Sequence, residues 1–284
     1  MITTIHFNEQ SYQADLTKPL DISIPLVDET EQTNCFYAPL FETSPVRAGD
    51  FVGSTAEGGP LNFLNLKLNP HGNGTHTECV GHIAQPADFD TDKKIVFTIN
   101  QSLRRFHFFA KLATLYPTRQ ANGDRVILPV QMQEILQPGE TEALILRTMP
   151  NDDRKMRLSY SGTNPPYIDP KAMKYLVDCG VQHLLLDLPS VDREEDGGRL
   201  LAHKAFWQYP DNGQNKVKIE NIAEQNAPRR VQDFVRKNCT ITELIYATNE
   251  IEDGLYLLNL QIAALEIDAS PSKPILYQLK PHNS

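Results

Sequence analysis

Short apolar segments bounded by turn-forming residues recur along this chain, and they limit its fold more than any other feature. Their length and frequent period of two are typical of β-strands, whereas helical patterns are few. We therefore predict strands at 20–26 (LDISIPL), 61–68 (LNFLNLKL), 94–99 (KIVFTI), 108–116 (FFAKLATLY), 143–148 (ALILRT), 183–189 (HLLLDLP), 240–247 (TITELIYA) and 255–265 (LYLLNLQIAAL).

Helices are predicted at 130–137, 169–180 and 221–238. The second begins with Asp169 as N-cap and a proline at the first helical position, and a glycine caps its end. It is followed by the apolar strand at 183–189, an order typical of α/β structure. The 284 residues contain no internal repeat and no linker. They are predicted to form a single α/β domain with an insertion near 193–238.

Composition excludes several classes of function. A hydrophobic content of 40% and a charged content of 22% are typical of a globular protein. A net charge of −9 with no basic block argues against a nucleic-acid partner. No apolar run is long enough to span a membrane, so no membrane partner is predicted. The first residues lack the basic region and apolar core of a signal peptide, which predicts a cytoplasmic location.

The four cysteines show no CxxC spacing, so reduced thiols are predicted rather than a disulfide framework. Cys79 lies inside a cluster of histidines and is interpreted as a small buried neighbour rather than as a ligand. The other three are scattered, at Cys35, Cys179 and Cys239.

Segment 69–82 (NPHGNGTHTECVGH) holds three of the chain's eight histidines and a glutamate. His76 and Glu78 are alternate residues of an extended segment and share one face of it, while His71 approaches across a Gly/Asn turn and His82 follows a short loop. Imidazole and carboxylate ligands suit zinc, manganese or iron(II), any of which lowers the pKa of bound water. These histidines could instead be surface or core residues, but their close spacing favours a metal.

Segment 74–82 (GTHTECVGH) resembles the central motif of a family of metal-dependent cyclases and hydrolases that includes bacterial kynurenine formamidase and isatin hydrolase. The resemblance implies a swivelling β/β/α domain, a homo-oligomer, a small-molecule substrate and one or two divalent ions, zinc or manganese. Other segments resemble the family in the same order, namely 20–26, 143–148, 184–192 (LLLDLPSVD), 202–206 (AHKAF) and 239–274.

By position, the resemblance implies that His82 is a catalytic base or a ligand of a second metal. The chain departs from the family pattern in three ways. The spacing from His71 to His76 is one residue longer, Glu78 replaces an aspartate, and the proline before the last histidine is missing. Glu220, in the insertion, is an alternative to Glu243, which is preferred because the sequence after it continues to match. The implied metal ligands are His71, His76, Glu78, His82, His203 and Glu243.

The resemblance implies hydrolysis of an amide-type C–N bond in a small metabolite, with N-formylkynurenine as the predicted substrate. One alternative is the opening of a cyclic amide or imide such as isatin, and another is a metal-binding protein that has lost catalysis. Ser190 is expected either to pack or to form a hydrogen bond. Trp207 is expected to line an aromatic substrate pocket or to lie in the core or at an interface. His183 is interpreted as structural.

Overall fold

The computed structural model describes residues 1–89, 92–210 and 235–282. Within these ranges the helices are α1 (Pro70–Asn73), α2 (Ile99–Ser102), α3 (Pro129–Ile135), α4 (Pro170–Asp178) and α5 (Leu201–Trp207), with 3₁₀ turns at Thr55–Glu57, Val80–His82, Pro86–Asp88 and Asp153–Arg157. The strands are β1 (Ile2–Phe7), β2 (Gln10–Asp15), β3 (Leu20–Asp21), β4 (Glu42–Pro45), β5 (Arg47–Ala48), β6 (Phe51–Val52), β7 (Leu64–Lys67), β8 (His76–Glu78), β9 (His107–Leu115), β10 (Thr118–Arg119), β11 (Arg125–Ile127), β12 (Ala143–Thr148), β13 (Tyr167–Ile168), β14 (His183–Leu186), β15 (Thr240–Glu243), β16 (Gly254–Ile262), β17 (Ala269–Gln278) and β18 (Lys280–Pro281).

Seven of these strands form a closed ring in the order β16-β9-β12-β14-β15-β8-β17, because β17 also pairs with β16. The strands from β9 to β15 in this order are parallel, and the remaining pairings are antiparallel. Strand β3 extends the sheet along β17. Closure pairs the outer strands of the sheet with each other, so the main ring has few unpaired backbone groups.

Two apolar clusters lie on the two sides of the ring. On β12, Ala143 and Ile145 pack with the cluster inside the ring, while Leu144 and Leu146 pack with the helices α3, α4 and α5 outside it. This strand is buried on both faces, as its uninterrupted apolar sequence predicts for a parallel strand. The parallel part of the ring is therefore covered by a layer of helices, and the antiparallel part includes β8.

The local signals for α4 are confirmed in detail. The Asp169 side chain accepts a hydrogen bond from the backbone N–H of Lys171, Pro170 is the first helical residue, and Gly180 adopts a left-handed conformation just after the end. All four cysteines are free, as predicted, and all four are buried, as was predicted for Cys79. Predicted strands also match β9, β12, β14, β15 and β16, and the first predicted helix matches α3.

Three strand predictions need correction. Residues 94–99 form bends that end in α2, and Phe97 and Ile99 pack against the apolar clusters without strand pairing. Within 61–68 only β7 is a strand, and it pairs with β4 in a separate, exposed two-stranded sheet rather than entering the ring. Within 20–26 the strand is reduced to β3 and an isolated bridge at Ser23. The ten-residue strand β17 was not predicted at all.

Several sequence predictions fall on residues 211–234, outside the described part of the chain. These are Glu220, most of the helix predicted at 221–238 and most of the insertion predicted near 193–238. In the ranges that are described, no helix has the length and apolar character needed to cross a membrane.

Candidate metal centre

Strand β8 carries the centre of the candidate site. Its three residues are fully buried between β15 and β17. Because side chains alternate along a strand, His76 and Glu78 lie on one face, while Thr77 lies on the other and hydrogen-bonds to Thr242 across the strand pair at 2.8 Å. Glu243 is the register partner of His76, which brings a second glutamate to the same face.

The extra residue between His71 and His76 is accommodated by the single helical turn α1. The Asn69 side chain caps this turn by accepting a hydrogen bond from the Gly72 backbone N–H at 3.1 Å. A Cβ atom on Gly72 would lie 2.2 Å from the Cβ of Ala38, so only glycine fits here. The turn brings Nδ1 of His71 to 3.3 Å from Oε2 of Glu78.

The second half of the chain supplies His203 and Glu243. His203 lies on α5, where its Nε2 is 3.0 Å from Oε1 of Glu78 and 3.8 Å from Oε1 of Glu243. Its Nδ1 is held by Oδ2 of Asp192 at 2.7 Å. The Val191 backbone N–H donates to Oε1 of Glu243 at 3.0 Å, which leaves Oε2 3.4 Å from Nε2 of His76. Both second-half residues therefore reach the β8 cluster.

Asp268 joins the cluster and was not predicted from the sequence. Its Oδ2 lies 2.9 Å from Nε2 of His71 and 3.3 Å from Nδ1 of His82. It immediately precedes β17, whose first residue, Ala269, is the register partner of Glu78. It lies within segment 239–274, whose resemblance to the family was not extended to this residue, and the pairing of β17 with β8 explains its position.

The charges of this cluster are strongly coupled. Burial alone would lower the pKa of His71, but its hydrogen bond to Asp268 and the nearby carboxylate of Glu78 raise that pKa to about 10. Burial likewise opposes a raised pKa at His203, yet the Glu78 carboxylate and Asp192 bring it well above its ordinary value. Conversely, burial would raise the pKa values of Glu78 and Asp268, but the neighbouring imidazoles hold both below their usual range. These contacts therefore favour ionised carboxylates at Glu78 and Asp268 beside protonated imidazoles at His71 and His203.

Two buried atoms at the centre of this cluster have no hydrogen-bond partner, namely Nε2 of His76 and Oε2 of Glu78. An unpaired buried polar atom costs free energy, and a divalent cation ligated by these atoms would remove that cost. Ligating atoms lie within 4.8 Å of one another in three overlapping groups, which are His71, His76 and Glu78; His71, His82 and Asp268; and Glu78, His82 and His203. Nitrogen and carboxylate donors of this kind fit zinc or manganese.

The sequence profile of one family, described as "Putative cyclase", matches residues 14–193, more than half of the chain. The chain belongs to the Cyclase family. The resemblance inferred from the sequence motifs is thereby confirmed. Among curated protein sequences, none matches this cyclase-family chain significantly.

Several solved structures share the fold of this chain. A predicted metal-dependent hydrolase from Bacillus stearothermophilus has a TM-score of 0.57 at 15% identity, with 92% of this chain and 98% of that chain covered. Isatin hydrolase A from Labrenzia aggregata, bound to benzyl benzoate, has a TM-score of 0.58 at 11% identity, covering 92% and 93%. An isatin hydrolase bound to the product analogue thioisatinate has a TM-score of 0.55 at 14% identity, covering 93% of each chain. The α/β fold predicted for this cyclase-family chain is confirmed.

Four other residues singled out in the sequence have structural roles in this cyclase-family chain. Ser190 accepts a hydrogen bond from the Asp192 backbone N–H at 3.1 Å and so shapes the turn that presents Asp192. Trp207 is fully buried in the core, with its indole 5.6 Å from the His203 ring. Cys79 is a buried neighbour packed inside the ring. His183 is buried too and bonds to Oγ1 of Thr240 at 2.9 Å, as expected of a structural histidine.

Proposed function

We propose that the chain is a metal-dependent hydrolase that cleaves an amide-type C–N bond in a small metabolite. The observation that carries this proposal is the pair of buried atoms without a hydrogen-bond partner, Nε2 of His76 and Oε2 of Glu78, whose residues belong to two of the three overlapping groups of potential metal ligands found among the described residues. Membership of the Cyclase family supports it, and so does the likeness of fold to structures described as metal-dependent hydrolases.

In this proposal the side chains hold one or two divalent ions, zinc or manganese. Glu78 belongs to two of the three ligating groups, so it is the natural bridge if two ions bind. An ion bound there would make water nucleophilic and polarise a carbonyl group. The proposed ligands are His71, His76, Glu78, His82, His203 and Glu243, with Asp268 added from the structure.

His82 is proposed to move the proton. It is the most exposed side chain among the six sequence-predicted site residues, at 29%, and stands at the edge of the cluster rather than inside it. Asp268 engages its Nδ1, which leaves Nε2 as the nitrogen able to exchange a proton with water and then with the leaving nitrogen. His82 remains a candidate ligand as well, since it belongs to two ligating groups.

N-formylkynurenine is the proposed substrate, and a cyclic amide such as isatin is the alternative. The test is to strip the protein of metal, reload it with zinc or manganese, and measure hydrolysis of each compound. We expect metal-dependent formation of kynurenine. Metal-dependent opening of isatin alone would reassign the substrate, and a loaded protein that cleaves neither compound would contradict this proposal.

A metal-binding protein without catalysis is distinguished by His82→Ala. An enzyme with His82 as its base should keep most of its metal and lose turnover. His107→Ala is the matched control, because His107 is exposed on β9 and hydrogen-bonds to Asn259 away from the cluster. Equal turnover in His82→Ala and the control would overturn the role assigned to His82.

The homo-oligomer expected from the resemblance stays a prediction, as does the single domain.

A further inference from the structure

A cavity of about 530 Å³ lies between β13, the start of α4 and the segment that leads into α5. This volume is typical of sites for small organic molecules. Its walls include apolar side chains, among them Leu128, Tyr167, Pro170 and Leu201. None of the six residues predicted for the metal centre lines it, so the cavity is a separate compartment of the fold.

Two arginines line this cavity with unused donors. Arg193 donates from Nε to Asp124 at 3.1 Å and from Nη1 to the Glu195 carbonyl at 2.6 Å. Arg199 donates from Nε to the Asp196 carbonyl at 2.8 Å. Within the described residues, Nη2 of Arg193 and both terminal nitrogens of Arg199 have no hydrogen-bond partner. A guanidinium group with free N–H groups is suited to binding a carboxylate or another anion.

The acidic residues in the wall are already engaged by the protein itself. Asp169 accepts from the Lys171 backbone N–H at 2.7 Å and caps α4. Asp196 accepts from the backbone N–H groups of Gly198 at 2.7 Å and Leu200 at 2.6 Å. These carboxylates are directed by local backbone N–H groups, and the unused N–H donors among the charged side chains of the wall belong to the two guanidinium groups.

Asp192 connects the cavity to the metal centre. Asp192 lines the cavity, and its carboxylate accepts from the Ala202 backbone N–H and from Nδ1 of His203, each at 2.7 Å. Arg199 and Leu201 stand at the start of the same helix, α5. A molecule bound in the cavity would contact the residues that hold this helix, and α5 carries both His203 and the single tryptophan, Trp207.

We propose that this cavity binds a small organic anion with an apolar body, and that Asp192 and α5 transmit its occupancy to His203. The apolar walls accommodate the body, and Arg193 and Arg199 bind the anionic group. The site is distinct from the catalytic cluster, so its ligand acts as an effector of that cluster and is not consumed. The proposal does not depend on which reaction the metal centre performs.

The test is a titration of the metal-loaded protein with cyclohexanecarboxylate, which does not absorb where tryptophan is excited. Binding is measured by calorimetry and by the emission of Trp207, which stacks on His203. We expect saturable binding accompanied by a change in emission. Cyclohexanecarboxamide, which lacks the charge, and inorganic phosphate, which lacks the apolar body, should both bind about tenfold more weakly or worse.

The decisive variant is Arg199→Gln, because Arg199 is exposed and its replacement should leave the fold intact. We expect its affinity for cyclohexanecarboxylate to fall about tenfold, the effect of losing one charge-assisted hydrogen bond. Arg154→Gln is the matched control, since Arg154 is exposed and lies outside the cavity wall. Unchanged affinity in Arg199→Gln would place the anion elsewhere, for example on the metal, and overturn the site. Arginine-dependent binding without a change in emission would overturn the link to His203.

Discussion

Oδ2 of Asp192 lies 2.7 Å from Nδ1 of His203, and Nε2 of the same ring lies 3.0 Å from Oε1 of Glu78. A carboxylate that accepts from one imidazole nitrogen fixes the orientation of the ring and directs the other nitrogen to the metal position. Asp192 also accepts from the backbone N–H of Ala202 and so holds the start of α5. One carboxylate therefore orients both the ring and the helix that carries it.

Asp192→Asn should weaken binding of zinc or manganese about 10- to 100-fold, the usual effect of removing the partner of a ligating histidine. The amide can still cap the helix, but it cannot accept from both the helix and the ring. Metal affinity is measured by competition with a chelator. Asp169→Asn is the control, because it makes the same change at the cap of α4 and should leave affinity as it was. An Asp192→Asn protein with native affinity would contradict the positioning role.

Asp268→Asn should lower metal affinity by about tenfold or more, since the Asp268 carboxylate contacts both His71 and His82. The metal content per chain after dialysis against a weak chelator measures this. Glu266→Gln is a matched change in the same segment, where Glu266 bonds to Thr98 and Asn100 instead. If both variants retain equal amounts of metal, Asp268 has no part in the site.

Gly72→Ala should destabilise the fold by about 1–3 kcal/mol, because the new methyl group meets the Cβ of Ala38 at 2.2 Å and forces α1 to move. His71 lies on α1, so metal affinity should fall as well. Urea denaturation and metal competition measure the two effects. The double variant Ala38→Gly/Gly72→Ala removes the clashing atom and should recover most of the affinity. Failure of this rescue would mean that the clash is not the cause.

His183 should make the fold sensitive to mild acid. Burial, followed by the charges of Arg105 and Arg236, lowers its pKa from 6.5 to about 3. Between these values the unfolded chain binds a proton that the folded chain does not, so stability is present above pH 6.5 and is lost as the pH falls towards 3. The loss amounts to about 2 kcal/mol at pH 5.

The comparison for this prediction is His183→Gln, which can keep a hydrogen bond to Thr240 but does not titrate. The free energy of unfolding, measured with urea at pH 7, 6 and 5, should fall more steeply in the native chain than in the variant. Parallel curves would show that His183 does not carry a depressed pKa.

Structural features that are determined by a few neighbouring residues could be predicted from the sequence. The uninterrupted apolar run of β12 and the Asp169 cap of α4 follow from rules that act over a few residues. Six of the seven clustered side chains also follow from the sequence, because His71, His76, Glu78 and His82 are close in the chain, and the family resemblance indicates His203 and Glu243.

The features that escaped prediction arise from pairing between distant segments. Strand β17 contains Pro271 and Pro274, which argue against a central strand, yet it pairs with β16 on one side and with β8 and β3 on the other. Asp268 depends on that same strand for its position. Segment 94–99 has the apolar pattern of a strand, but Phe97 and Ile99 pack against the core without strand pairing, and the apolar pattern alone does not separate these two states.

The closure of the ring by β17 also determines when, during synthesis of the chain, the cluster of imidazoles and carboxylates can form. His76 and Glu78 emerge from the exit tunnel long before Asp268, which directly precedes the strand that pairs with both β8 and β16. A nascent chain can present histidines, but not the finished arrangement of four imidazoles and three carboxylates. Affinity for a divalent ion through this arrangement is therefore acquired late, after nearly all of the described sequence has been translated.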